Sequence, residues 1–193
     1  MHTGGIVLKL TWTIFLIFAN SLVYAYTSLK SRDFIVTSFD VLAVYGQSNR
    51  AVIAQGWYWQ LFTSMFVHVN LIHLILNMVF LLIFGLRAEE LFKGKDFLFI
   101  YLASGLAGNL LTLLLPLDII SAGASGAIFG IFGAYVIYMR KAFGMPVFTA
   151  LVYSLLFLML SVSEGVNFFA HLGGLVAGLV IGYFFAKSRK IGF

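Results

Sequence analysis

The stretch Ser121-Ala122-Gly123-Ala124-Ser125-Gly126-Ala127-Ile128-Phe129-Gly130 heads an apolar run that continues to Met139. Glycines let a backbone turn sharply and let a second chain come close, so the spacing predicts a loop that becomes a helix at Ser125. A new helix leaves its first N–H groups without intrahelical partners, and its N-terminus favours negative charge. A serine at that point meets two needs of acyl transfer: an attacking oxygen, and nearby donors for the oxyanion that forms. The same pattern also suits plain packing, because serine among small residues is common where membrane helices touch. What separates the two readings lies elsewhere in the chain.

Of the 193 residues, 62% are hydrophobic and 10% charged, and the mean hydropathy is +1.03. Soluble domains are nearer to about 45–50% apolar and about 25% charged, so the composition implies a polytopic membrane protein whose partner is the lipid bilayer, and the segments below make its fold all-α. Cysteine is absent, which excludes disulfides, thiolate metal sites and a cysteine nucleophile. The net charge of +5 is spread over short loops and the C-terminus. That distribution sets membrane orientation rather than nucleic-acid binding.

Six apolar segments stand out: Ile6–Tyr26, Leu71–Leu86 (extendable through Arg87–Leu91), Phe97–Leu115, Ser125–Met139, Val147–Val162 and Phe168–Ala186. They predict a bundle of six transmembrane helices, several of them short against the roughly 20 residues that a perpendicular span needs. The first run lacks a small-residue cleavage site and leads into further spans, so it reads as a retained helix. Phe34–Val44 is broken by Thr37, Ser38 and Asp40 and reads as an ordered loop or interfacial segment. With no internal repeat or linker, residues 1–193 read as one domain.

With the N-terminus cytoplasmic, nine of the twelve Lys and Arg residues fall inside, and only Lys30, Arg32 and Arg50 fall outside. That asymmetry favours cytoplasmic N- and C-termini in the cell membrane. Helices two, four and six then enter from the outside, and His68, His73, Asn77, Ser125 and His171 gather at their entrances. From Ser125 to Met139 the fourth segment covers roughly 22 Å at about 1.5 Å per residue, against a hydrocarbon core about 30 Å thick. With Arg140 and Lys141 at its inner end, Ser125 should lie below the outer surface. Irregular backbone at that depth is tolerated where it lines a wet cavity or is buried in protein.

His171 opens the sixth segment, and Gly174, Gly178 and Gly182 continue its azimuth. A glycine stripe admits a close backbone, and Gly126, Gly130 and Gly133 offer a matching small face. If those faces meet, His171 comes within reach of Ser125 and can take its proton and later return it. The bland alternative is a histidine bonded to a loop carbonyl. His73 and Asn77, spaced i, i+4, present N–H donors to one side, which suits either an oxyanion or bonds between helices. His68 points about 140° away from His73, and asparagine is a poor ligand for most metals, so a zinc pair is not indicated. Asn20, Asn109 and Thr112 read as bundle hydrogen bonds. Asp118 and Glu164, in outer loops, are either solvated charges or a third member that orients the histidine.

Taken together, Trp59 through Phe66-Val67-His68, then His73-Leu74-Ile75-Leu76-Asn77, then Gly123-Ala124-Ser125-Gly126, then Ala170-His171 with Gly174 and Gly178, resemble the rhomboid family of intramembrane serine proteases. The resemblance runs in order from about Tyr58 to Gly182. It implies a six-helix fold and a Ser125–His171 dyad with no acidic partner, in a water-accessible site below the membrane surface. It also implies an oxyanion held by His73, Asn77 and the Ser125 backbone N–H. His68 matches a further family histidine, and the first loop matches the family's partly embedded structural loop. Two departures stand out. Gln60 follows Trp59 where many members carry arginine, which leaves open the loop contacts an arginine would make. Phe129 stands where a tyrosine often stacks on the catalytic histidine.

The implied activity is endoproteolysis of other membrane proteins in or near their transmembrane segments, with no cofactor and no metal. The residue pattern leaves the oligomeric state open. A non-catalytic binder of transmembrane helices, or a small channel or transporter, is the alternative use of the same polar cluster. A transporter would be expected to carry mid-depth carboxylates and polar groups towards both faces. A metal-dependent protease would want a His-x-x-x-His pair or an intramembrane carboxylate.

Overall fold

The computed structural model describes residues 11–144 and 166–188, with residues 146, 148, 149 and 152 between them. Most of the Val147–Val162 segment, Glu164, and the charged residues Lys9, Arg189 and Lys190 lie outside the described residues. Eight described helices are α1 (Trp12–Ser31), α2 (Phe39–Tyr45), α3 (Asn49–Gln55), α4 (Gln60–Thr63), α5 (Leu71–Leu91), α6 (Lys95–Thr112), α7 (Ser125–Phe143) and α8 (Phe168–Ser188). Of these, α1, α5 and α8 are long and apolar enough to cross a membrane. The only described sheet is a two-residue ladder of β1 (Gln47–Ser48) against β2 (Ile120–Ser121), antiparallel, with Gln47 opposite Ser121.

Several expected helix ends move. The first helix runs past Tyr26 to Ser31 and stops where Arg32 takes a left-handed conformation, φ 56°. At its start, the Glu89 carboxylate of α5 accepts from the Trp12 and Thr13 N–H groups at 2.8 and 2.9 Å, which fills two orphan donors with an anion at the helix N-terminus. The helix of the third apolar segment, α6, begins at Lys95 and ends at Thr112, before Leu115. Pro116 follows, and proline disfavours helical backbone in the residue before it. Asn49 takes up the carbonyls of Thr112, Leu115 and Pro116 at 2.9, 3.1 and 3.2 Å. The helix of the fourth apolar segment, α7, begins at Ser125, as the glycine pattern predicts, and continues beyond Met139 to Phe143.

Phe34–Val44 is no span. Val36 bridges to Asn70, Thr37 bonds the carbonyls of His68 and Val69 at 2.7 and 2.9 Å, and α2 follows. This loop is held from beneath by Gln60, which is fully buried. Its Nε2 donates to Ala43 and Val44 at 2.8 and 3.0 Å, and its Oε1 accepts from the Ser48 N–H at 2.9 Å. The neutral amide therefore does bind the loop.

At the centre stands α7, packed against α8, α6 and α5, while α1 leans on α5. The α7–α8 crossing is close because it is made of backbone. A Cβ on Gly174 would run into Gly126, one on Gly178 into Gly130, and one on Gly182 into Ala134. The small face of α7 is thus Gly126, Gly130, Gly133 and Ala134, since a Cβ on Gly133 would press on the Leu175 carbonyl at 2.8 Å. Apolar side chains turned outward, such as Phe18, Leu22 and Leu29 on α1, are exposed, as suits a surface that meets lipid rather than water.

Candidate active site

The N-terminal ends of α5, α7 and α8 open onto one cavity of about 610 Å³, whose lining includes His73, Asn77, Gly123, Ser125, Phe129 and His171. Two of these ends are placed by an asparagine cap and the third by a glycine turn. Asn70 caps α5, its Oδ1 accepting from the His73 N–H at 2.7 Å. Asn167 sits one residue before α8, and its Oδ1 accepts from the Ala170 N–H at 3.1 Å. Before α7 the chain turns through Gly123, φ 140°, whose N–H donates to the Ser64 carbonyl at 2.9 Å. That turn presents the Ser125 hydroxyl at the first residue of the helix.

Across the close α7–α8 seam, His171 Nε2 lies 2.7 Å from Ser125 Oγ. The Phe129 ring stacks on the His171 imidazole with centroids 4.5 Å apart. His73 lies against the turn: a Cβ on Gly123 would come within 2.7 Å of its Cε1. Among the described residues, His73 Nδ1 is buried without a hydrogen-bond partner. Asn77 lines the same cavity, but its amide nitrogen donates to the His73 carbonyl at 2.8 Å. One of its two N–H groups is therefore turned back into its own helix, and only the other is available to a bound group.

His68, in the connection between α4 and α5, does not line the cavity. It is fully buried behind His73, with ring centroids 5.3 Å apart. Burial, and secondarily the neighbouring His73, push its pKa down to about 3, so it is a neutral packing ring. Asp118 is exposed on its loop. Asn20, Asn109 and Thr112 make bundle hydrogen bonds: Asn20 to Tyr101 at 3.3 Å, Asn109 to Leu61 and Ser64 at 2.7 and 2.9 Å, and Thr112, whose Oγ1 accepts from Asn167, at 2.8 Å. The Thr112 hydroxyl itself donates within its own helix to Gly108 at 3.0 Å. Asn109 also reaches the cavity wall. Among the described residues, no three His, Asp or Glu side chains gather as metal ligands.

Two residues that the sequence pattern did not single out belong to this site. Asn167 donates to Ser121 Oγ at 2.9 Å and to Thr112 Oγ1 at 2.8 Å, and Ser121 lines the cavity beside it. The available signal was an asparagine directly before an apolar run, which is a helix-start mark.

Helices of this length and apolarity, closed around such a site, make the chain a membrane protein. A model of the Rhomboid domain matches residues 55–188. RHOMBOID-like protein 6, mitochondrial, of Arabidopsis thaliana is 32% identical over 178 residues, covering 88% of this chain and 57% of that protein. Rhomboid-like protease 3 of Toxoplasma gondii is 30% identical over 181 residues, 88% of this chain and 67% of the relative. Rhomboid protease GluP of Bacillus subtilis is 32% identical over 153 residues, 74% of this chain and 29% of the relative. This chain belongs to the rhomboid family. It spans little more than half the length of the Arabidopsis relative and under a third of GluP.

Proposed function

We propose that this chain is an intramembrane serine endopeptidase that cuts other membrane proteins in or near their transmembrane segments through a Ser125–His171 dyad. The observation that carries the reading is the 2.7 Å contact between Ser125 Oγ and His171 Nε2. Ser125 Oγ attacks the scissile carbonyl carbon as its proton passes to His171 Nε2. The carbonyl oxygen becomes an oxyanion, met by the side chains of His73 and Asn77 and by the Ser125 backbone N–H. His171 then gives its proton to the departing amine nitrogen as the C–N bond breaks, leaving an acyl ester on Ser125. Water adds to that ester while His171 takes its proton, and the proton returns to Ser125 Oγ as the acid leaves. Phe129 holds the imidazole face throughout.

The chain forms one membrane-embedded domain with six crossings, both termini cytoplasmic and the cavity opening to the outer side of the cell membrane. The excess of Lys and Arg in the inner loops supports that orientation. A helical substrate hides its carbonyls in its own hydrogen bonds, so the cut falls at small residues such as Ala, Ser or Gly, where a nearby Gly or Pro lowers the cost of unwinding.

Purified protein in liposomes, incubated with a labelled single-span substrate, should release product, while Ser125→Ala and His171→Ala should not. Equal product from wild type and Ser125→Ala would defeat the mechanism. A fluorophosphonate probe should label Ser125 and lose that label in His171→Ala, which a non-catalytic helix binder would not show.

A further inference from the structure

Two hydrogen bonds in the site run side by side. His171 meets Ser125 at 2.7 Å and Asn167 meets Ser121 at 2.9 Å, each across 46 positions of chain. Each partner of the second bond stands one helical turn's worth of residues before its counterpart in the first. The same Asn167 amide donates to Thr112 Oγ1 on the last residue of α6 at 2.8 Å, and its Oδ1 caps α8 at Ala170. The Asn167 carbonyl also accepts from the His171 N–H at 3.3 Å.

We propose that Asn167 is a positioning residue, whose side chain braces the segment leading to Ser125 against the helix that carries His171 and so fixes the separation of hydroxyl and imidazole. This deepens the protease reading and rests on it. An amide that donates two bonds and accepts a third has little freedom left, so the side chain cannot swing without breaking ties to three elements. Such a fixed point matters here. Between Ser121 and Ser125 the backbone passes through Gly123 at φ 140°, a residue type free to adopt many conformations. The β1–β2 ladder pins Ser121 on its other side. Brace and ladder together leave the turn one way to deliver the hydroxyl.

The test uses the purified full chain in detergent, reading cleavage of a labelled single-span peptide and the rate of fluorophosphonate labelling at Ser125. Asn167→Ser keeps a short oxygen able to cap α8 but withdraws the reach to Ser121 and Thr112. Ser121→Ala removes the other end of the brace and leaves the cap alone. Because small misplacements at a reacting centre cost up to about 100-fold, each variant should lower kcat and the labelling rate by on the order of 10-fold, with KM within about twofold. The double variant should be no slower than the slower single one, since both remove one shared interaction. Multiplying losses in the double variant, or kcat within about twofold of wild type in both single variants, would overturn the brace. So would a fall in thermal stability that accounts for the whole loss in rate. Ser125→Ala and His171→Ala run alongside. Product from those proteins would sink the protease reading itself, whereas their inactivity beside fully active brace variants would sink the brace alone.

Discussion

Phe129 lies on the imidazole of His171 with its plane only 20° from parallel and the ring centroids 4.5 Å apart. Since Phe129 follows Ser125 by one turn on α7, the helix that supplies the hydroxyl also supplies the surface against which the base rests. Stacked aromatic pairs contribute about 0.5–1.5 kcal/mol beyond their buried area. Phe129→Leu should therefore slow cleavage of a labelled single-span peptide by roughly 2- to 10-fold, while Phe129→Tyr should keep the wild-type rate. An unchanged rate in Phe129→Leu would show that the stack does not hold the base.

Gly123 is fixed by two independent constraints. Its φ of 140° is a conformation that L side chains rarely adopt, and a Cβ would press on the His73 ring at 2.7 Å. Backbone strain of this kind costs about 1–3 kcal/mol. Gly123→Ala should lower kcat by at least about 10-fold through displacement of His73 and the turn. Steady-state cleavage assays, with circular dichroism to verify the helices, decide the matter; a fully active Gly123→Ala would refute it.

On α8, Gly178 touches the Gly130 backbone with no room for a side chain. Forcing extra atoms into a filled contact costs typically about 1–3 kcal/mol. Thermal unfolding in detergent should show Gly178→Val melting well below wild type, and Val176→Ala, at an exposed position on the same helix, melting close to it.

A pH effect follows from His68. Its native pKa near 3 lies below the ordinary value of 6.5, with burial as the main cause. The unfolded chain takes up a proton at this ring below pH 6.5 that the native ring refuses. Stability is therefore fully present above that value and declines as pH falls towards 3, by at most about 1.4 kcal/mol per unit. Melting temperatures between pH 8 and pH 4.5 should fall less steeply for His68→Gln than for wild type. Parallel slopes would locate the acid sensitivity elsewhere.

What the sequence made legible was whatever repeats or turns locally. The glycine spacing placed the start of α7 on Ser125, and the stripe at 174, 178 and 182 brought His171 to it. The loop nature of Phe34–Val44 followed from its broken apolarity. Less legible were features that depend on a distant partner. Whether Gln60 holds the loop could not be read locally, and its buried amide binds Ala43, Val44 and Ser48. The end of α6 depends on Asn49, whose side chain collects carbonyls more than sixty positions away. Asn167 offered only a helix-start mark, since its bonds to Thr112 and Ser121 exist only once three elements meet. Gly126, Gly130 and Gly133 were legible as the small face of α7, whereas Ala134, which meets Gly182, became legible only once α8 crossed it.

The glycine seam also restricts traffic. Where Gly126 and Gly130 meet Gly174 and Gly178, main chain touches main chain, and α6 closes the adjoining side through Gly108 against Ala170. No peptide can slip between those helices without prising the bundle apart. The α5 rim is different: Ile72 and Leu76 border the cavity and are 69% and 51% exposed. Among the described residues, then, the seam side of the cavity is a wall of main chain, and its open border runs along α5.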